Sequence, residues 1–148
     1  MEILKPLFDE YFSERYTTLN EEQFEELVLY SPPLMVVACD DVLDRDELFF
    51  VEYFSKFLAR NFFDSGSQQA QQDELRDTFE SEMKFLLDNM NYWEDKFLRG
   101  AKVLTHKDER LKGQIFDLLE MFAESSDGIS EEEQRKIDWI CIALDIDA

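Results

Sequence analysis

A chain of 148 residues with 45% hydrophobic content is expected to form one domain, burying roughly 70% of the surface exposed by its unfolded chain. Its formal charge of −20 repels phosphate backbones and anionic headgroups, which argues against nucleic acid and membrane surfaces and favours cations or basic proteins. Fourteen Phe argue against a disordered acidic chain, so the charge is expected on a folded surface.

From Ile3 to Tyr16, the residues Ile3, Leu4, Leu7, Phe8, Tyr11 and Phe12 recur at helical spacing, and Pro6 suits only a first turn. The opening residues lack a basic segment followed by an apolar one, and no run approaches the ~20 apolar residues of a membrane span. Cys39 and Cys141 show no C-x-x-C spacing and read as reduced thiols, so a cytoplasmic setting is expected. Asn20 with Gln23 is a capping-box signature, opening a second helix up to Tyr30. Pro32-Pro33 breaks that helix and starts the next, Leu34 to Cys39, which is apolar all round and so expected to be buried.

Asp44 with Glu47 is a second capping box, opening a helix through Leu48, Val51, Phe54, Leu58 and Phe62. Asp64-Ser65-Gly66-Ser67 is a loop before a Gln-rich start at Gln68. A long helix is expected from Asp73 to Trp93, bending near Asn89 and Asn91. Trp93 to Leu104 is either its extension or a separate helix. After a break over Thr105 to Asp108, Leu111, Ile115, Leu118, Leu119 and Phe122 mark another helix ending at Ser125-Ser126. Ser130 with Glu133 is a third capping box, and Ile137, Ile140, Cys141 and Leu144 face the core of the last helix. The expected fold is all-α, a single-domain bundle of seven to eight helices over residues 1–148.

Two acidic segments punctuate this bundle. Ala38-Cys39-Asp40-Asp41-Val42-Leu43-Asp44-Arg45-Asp46-Glu47 is echoed by Ser125 to Glu133. Laying Glu47 on Glu133 also pairs Met35 with Met121, Val51 with Ile137 and Leu58 with Leu144. The pattern is a weak internal repeat of two helix–acidic loop–helix units. Clustered carboxylates need water, protons or a cation between them, and hard oxygen ligands favour Ca²⁺ or Mg²⁺. The candidate ligands are Asp40, Asp41, Asp44, Glu47, Asp127 and Glu133. Capping and the helix dipole account for Asp44, Glu47 and Glu133, which leaves Asp40, Asp41 and Asp127 as the carboxylates that no cap explains.

Neither segment is an EF-hand, because Ala123 in one and Val36 and Ala38 in the other stand where oxygen ligands are needed. One His excludes a di-iron bundle, which needs a Glu-x-x-His from each of two helices, and His106 reads as a loop or helix-start residue. Nucleophile elbows and phosphate-cradling Gly loops are absent, so no catalytic residue is assigned and the chain is read as a non-enzyme. The Phe-rich stretch from Leu48 to Phe63 exceeds one core stripe, and Phe49 and Phe50 are candidates for a groove, a partner face or a homodimer face.

At the run Met35 to Glu47 the chain resembles the tellurite-resistance TerB family and the TerB-like domains attached to some membrane-anchored DnaJ-type co-chaperones. The shared pattern is an apolar run, Ala, Asp-Gly, an aliphatic residue and a following Glu. Here Asp41 stands where the family usually has Gly, while Phe122 to Glu133 repeats the pattern with Asp127-Gly128 one residue nearer its Glu. The resemblance covers residues 25–148 and leaves 1–24 as N-terminal extension helices. It implies an all-helical bundle that gathers both acidic segments at one end, binds a divalent cation and acts through protein partners in bacterial stress-response or membrane-associated complexes. Tellurite resistance itself does not follow from it.

Overall fold

The computed structural model describes residues 4–39, 45–63, 68–125 and 130–146. Within these the backbone forms eight α-helices and no strand: α1 (Lys5–Glu14), α2 (Glu21–Leu29), α3 (Pro32–Ala38), α4 (Arg45–Arg60), α5 (Gln69–Asp88), α6 (Met90–Lys107), α7 (Arg110–Ser125) and α8 (Glu131–Ala143). None of the described helices is long and apolar enough to cross a membrane.

The centre of the bundle is α3. Every residue from Pro32 to Val37 is buried, and the helix packs against α5, α6, α7 and α8, as its unbroken apolar character requires. Pro32 and Pro33 occupy its first turn, where a missing N–H costs nothing, so the helix begins with the prolines and not after them. Around α3, α4 lies along α5 and α2 along α6. One aromatic group at the α1–α2–α6 junction joins Tyr11, Phe24, Trp93 and Phe97, with ring centroids 5.1 to 5.9 Å apart. A second joins Tyr30, Phe50, Phe54 and Phe57, and Phe122 of α7 meets it edge-on.

Helix ends follow local chemistry. The Asn20/Gln23 and Ser130/Glu133 capping boxes are both formed. The first helix is shorter than its apolar spacing suggests: it stops at Glu14, and Tyr16 beyond it is exposed. The long helix expected from Asp73 starts earlier, at Gln69, and ends at Asp88, because the Asn89 side chain donates to the Phe85 carbonyl oxygen at 2.8 Å and α6 opens afresh at Met90. No break occurs at Thr105, which is buried within α6. The interruption comes at Asp108, whose carboxylate accepts from the Arg110 backbone N–H at 3.1 Å and so starts α7. His106 is therefore in the last turn of α6, not at a helix start, with Nε2 3.5 Å from the Asp145 carboxylate.

Candidate functional site

Of the six candidate metal ligands, Asp40, Asp41, Asp44 and Asp127 lie outside the described residues, as does the side chain of Glu47, whose backbone is in the first turn of α4. Glu133 is described. It is 6% exposed, its Oε1 accepts from the Ser130 backbone N–H at 3.0 Å, and its own N–H donates to Ser130 Oγ at 3.1 Å. One carboxylate oxygen is thus committed to the cap. Among the described residues no group of three or more His, Cys, Asp or Glu is placed to hold a metal ion. The helices on either side of the two acidic segments do meet: Phe50 of α4 and Phe122 of α7 are 5.2 Å apart in an edge-on contact, and α3 packs on both α7 and α8.

The Phe-rich stretch divides. Phe50 is buried at 5% exposure in the second aromatic group, whereas Phe49 is 68% exposed, Tyr53 follows it one turn on, and Leu48 is exposed as well. Phe57, Phe62 and Phe63 are half-buried against the core.

A buried polar contact that sequence reading overlooked fastens α1 to α5. Glu82, 3% exposed, accepts on Oε1 from the Tyr11 hydroxyl at 2.6 Å and from Arg15 Nε at 2.8 Å. Arg15 also donates to Ser81 Oγ at 2.9 Å and stacks 4.5 Å above the Phe85 ring. Burial, reinforced by the Glu82 charge, holds the Tyr11 phenol protonated far above its ordinary range. A signal was present: Phe79, Glu82, Met83 and Leu86 follow the i, i+3, i+4, i+7 rhythm, so the carboxylate stands on an apolar stripe and needs a partner.

A groove of about 550 Å³ lies between α7 and α8. On the α7 side it is lined by Phe116, Leu119, Glu120 and Ala123, and on the α8 side by Gln134, Ile137, Asp138, Cys141 and Ile142, with Ile146 beyond. Both sets recur at i, i+3, i+4, i+7, so each helix turns one continuous face to the groove. The two helices have α3 and α6 as principal packing partners and not each other, which is why the space between them stays open. Its floor is apolar, Ile142 at its edge is 77% exposed, and its two charged residues, Glu120 and Asp138, are both acidic. Cys141 faces the groove with its thiol pushed up by burial and by Asp138, so it is held as the un-nucleophilic thiol. The arrangement suits binding through apolar contact and positive charge rather than covalent chemistry. No family model, curated protein or solved structure matches the chain.

Proposed function

We propose that this protein is an acidic helical interaction module, TerB-like in kind, that acts by binding protein partners and not by catalysis. The observation that carries the reading is the apolar groove between α7 and α8, open at the surface with the exposed Ile142 at its edge. An unfilled apolar face on a folded domain marks a binding surface more often than a packing fault. The charge of −20 supports protein over nucleic acid as the partner, and the sparse cysteines without C-x-x-C spacing support a cytoplasmic setting. Nile red, an uncharged dye, should brighten on native protein and lose that signal in Ile142→Glu, whose circular dichroism stays unchanged. Equal brightness in the two proteins would remove the groove as the basis for this reading.

A second reading, divalent-cation binding at the acidic end, is favoured by the Phe50–Phe122 contact between the helix pairs that flank the two segments. The gapless repeat alignment also sets Val51, Phe54 and Leu58 of α4 opposite Ile137, Ile140 and Leu144, and all six are buried. In this reading Asp40, Asp41 and Asp127 are the principal ligands of Ca²⁺ or Mg²⁺. A cation at ~100 times its dissociation constant adds about 2.7 kcal/mol, a melting rise of roughly 5 to 10 °C for a domain of this size. NaCl at matched ionic strength should give a smaller rise. Replacing Asp40 and Asp41 by Asn should abolish the difference between the two salts, and an equal response of wild type and double variant would end the metal reading.

A further inference from the structure

We propose that the groove between α7 and α8 receives one amphipathic helix of another protein, with an apolar stripe toward the groove and Lys or Arg along both edges of that stripe. The proposal rests on the interaction-module reading and names the partner's chemistry. The shape comes first. Packed helices stand roughly 8–10 Å apart, and α7 and α8, which pack chiefly on α3 and α6 and less on each other, leave an apolar groove of about 550 Å³ between their facing sides. The nine residues from Gln134 to Ile142 are eight steps apart and cover about 12 Å at ~1.5 Å of rise per step. That is the reach of a docked helix using anchors at i, i+3 or i+4, and i+7. Leu119, Ile137 and Cys141 form the buried floor such anchors would meet, and Phe116 and Ile142 the apolar shoulders.

The charge decides the rest. All four cations of the two walls are already engaged within the chain: Arg110 with Asp108, Lys112 with Glu109, Arg135 with Glu131, and Lys136 with Glu94. Glu120 and Asp138, one on each wall, are exposed, and among the described residues no cation lies within ion-pair distance of either. A basic helix would place its cations against both carboxylates, in a field set by −20. A second copy of the chain would bring another −20 to the same face, which disfavours self-association there.

The test uses the whole protein and a short fluorescent Leu/Lys peptide with a helical apolar stripe, read by anisotropy. Two comparison peptides accompany it: a scrambled one of identical composition, and a Leu/Glu peptide with the same stripe. The striped Leu/Lys peptide should bind at least about tenfold more tightly than either. Ile142→Glu should weaken it about tenfold, as should the double variant Glu120→Lys/Asp138→Lys. A charge-matched pair on α5, Glu74→Lys/Asp77→Lys, and the α4 variant Phe49→Glu should each leave affinity within about twofold. Equal binding of the scrambled peptide, or equal weakening by the α5 pair, would mean general attraction to an acidic surface and overturn the proposal. Loss confined to Phe49→Glu would move the contact to α4, overturning the groove while sparing the interaction module. Absence of peptide binding while Nile red still lights the groove would overturn the basic helix as occupant, and failure of both would take the module with it. A doubled mass by light scattering that reverts in Ile142→Glu would show a second copy in the groove, again overturning the proposal.

Discussion

Phe49 and Phe50 are adjacent in sequence, yet one lies 68% exposed on the outer side of α4 and the other, 5% exposed, packs edge-on against Phe122. Replacing each by Asp should separate them. Phe50→Asp combines the ~3–5 kcal/mol of a deleted buried ring with a buried charge, most of the stability of an ordinary domain. Phe49→Asp should stay within about 0.5 kcal/mol in urea unfolding. Tyr30 offers a pH-dependent counterpart. Burial, aided by the Glu26 charge, pushes its phenol up to about 12, whereas in the unfolded chain it ionises near ~10. Between those values the unfolded state has released a proton that the folded state still holds, so stability falls as pH rises. Below about pH 10 the contribution is intact, and it is lost as pH climbs through the folded value. Tyr30→Phe should flatten the decline of the urea midpoint across this window relative to wild type, and parallel slopes would contradict the assignment.

Helices were legible in the sequence wherever a backbone device is written in neighbouring residues. Asn20/Gln23 and Ser130/Glu133 form the capping boxes that their spacing predicts, and Asn89 interrupts the long apolar run where a bend is expected. The break expected at Thr105 failed because a buried Thr can remain helical, its hydroxyl donating to the Lys102 carbonyl oxygen at 3.0 Å. The groove was not legible at all. Leu119 and Ile137 read as core stripes and are indeed buried, but how closely their helices approach each other depends on how both seat on α3, far off in the chain, and on α6. Two helical glycines turn the same distinction into a measurement. At Gly100 in α6 an added Cβ would fall 2.8 Å from Val28 Cγ1 of the buried α2 face, so Gly100→Ala should cost about 1–3 kcal/mol despite its better helix propensity. Gly113 in α7 has nothing within 4 Å, so Gly113→Ala should stabilise by about 0.5–1 kcal/mol and raise the melting temperature by roughly 1–4 °C.

At the scale of the whole molecule, in a chain of charge −20 the charged side chains buried among the described residues are Glu82 and Glu133, and Glu82 has its partners further away in sequence. Its contact with Tyr11 links residues 71 positions apart. Contacts of such separation close late when folding is guided by local structure, so the seat of α1 should form on the native side of the transition state. Tyr11→Phe should therefore speed unfolding in a urea chevron by about the full loss of stability and leave the folding rate within about twofold. A folding arm slowed in proportion to that loss would instead put α1 in the nucleus. The same separation has a meaning during synthesis. The 71 residues from Tyr11 to Glu82 take about 4 to 14 s to translate at ~5–20 residues per second. Trp93 and Phe97, which receive the Tyr11 ring, emerge later still. Through that interval the apolar faces of α1 and α2, including Tyr11 and Phe24, have no α6 to cover them. Until α6 emerges, nascent α1 and α2 therefore expose apolar surface of the kind that chaperones bind.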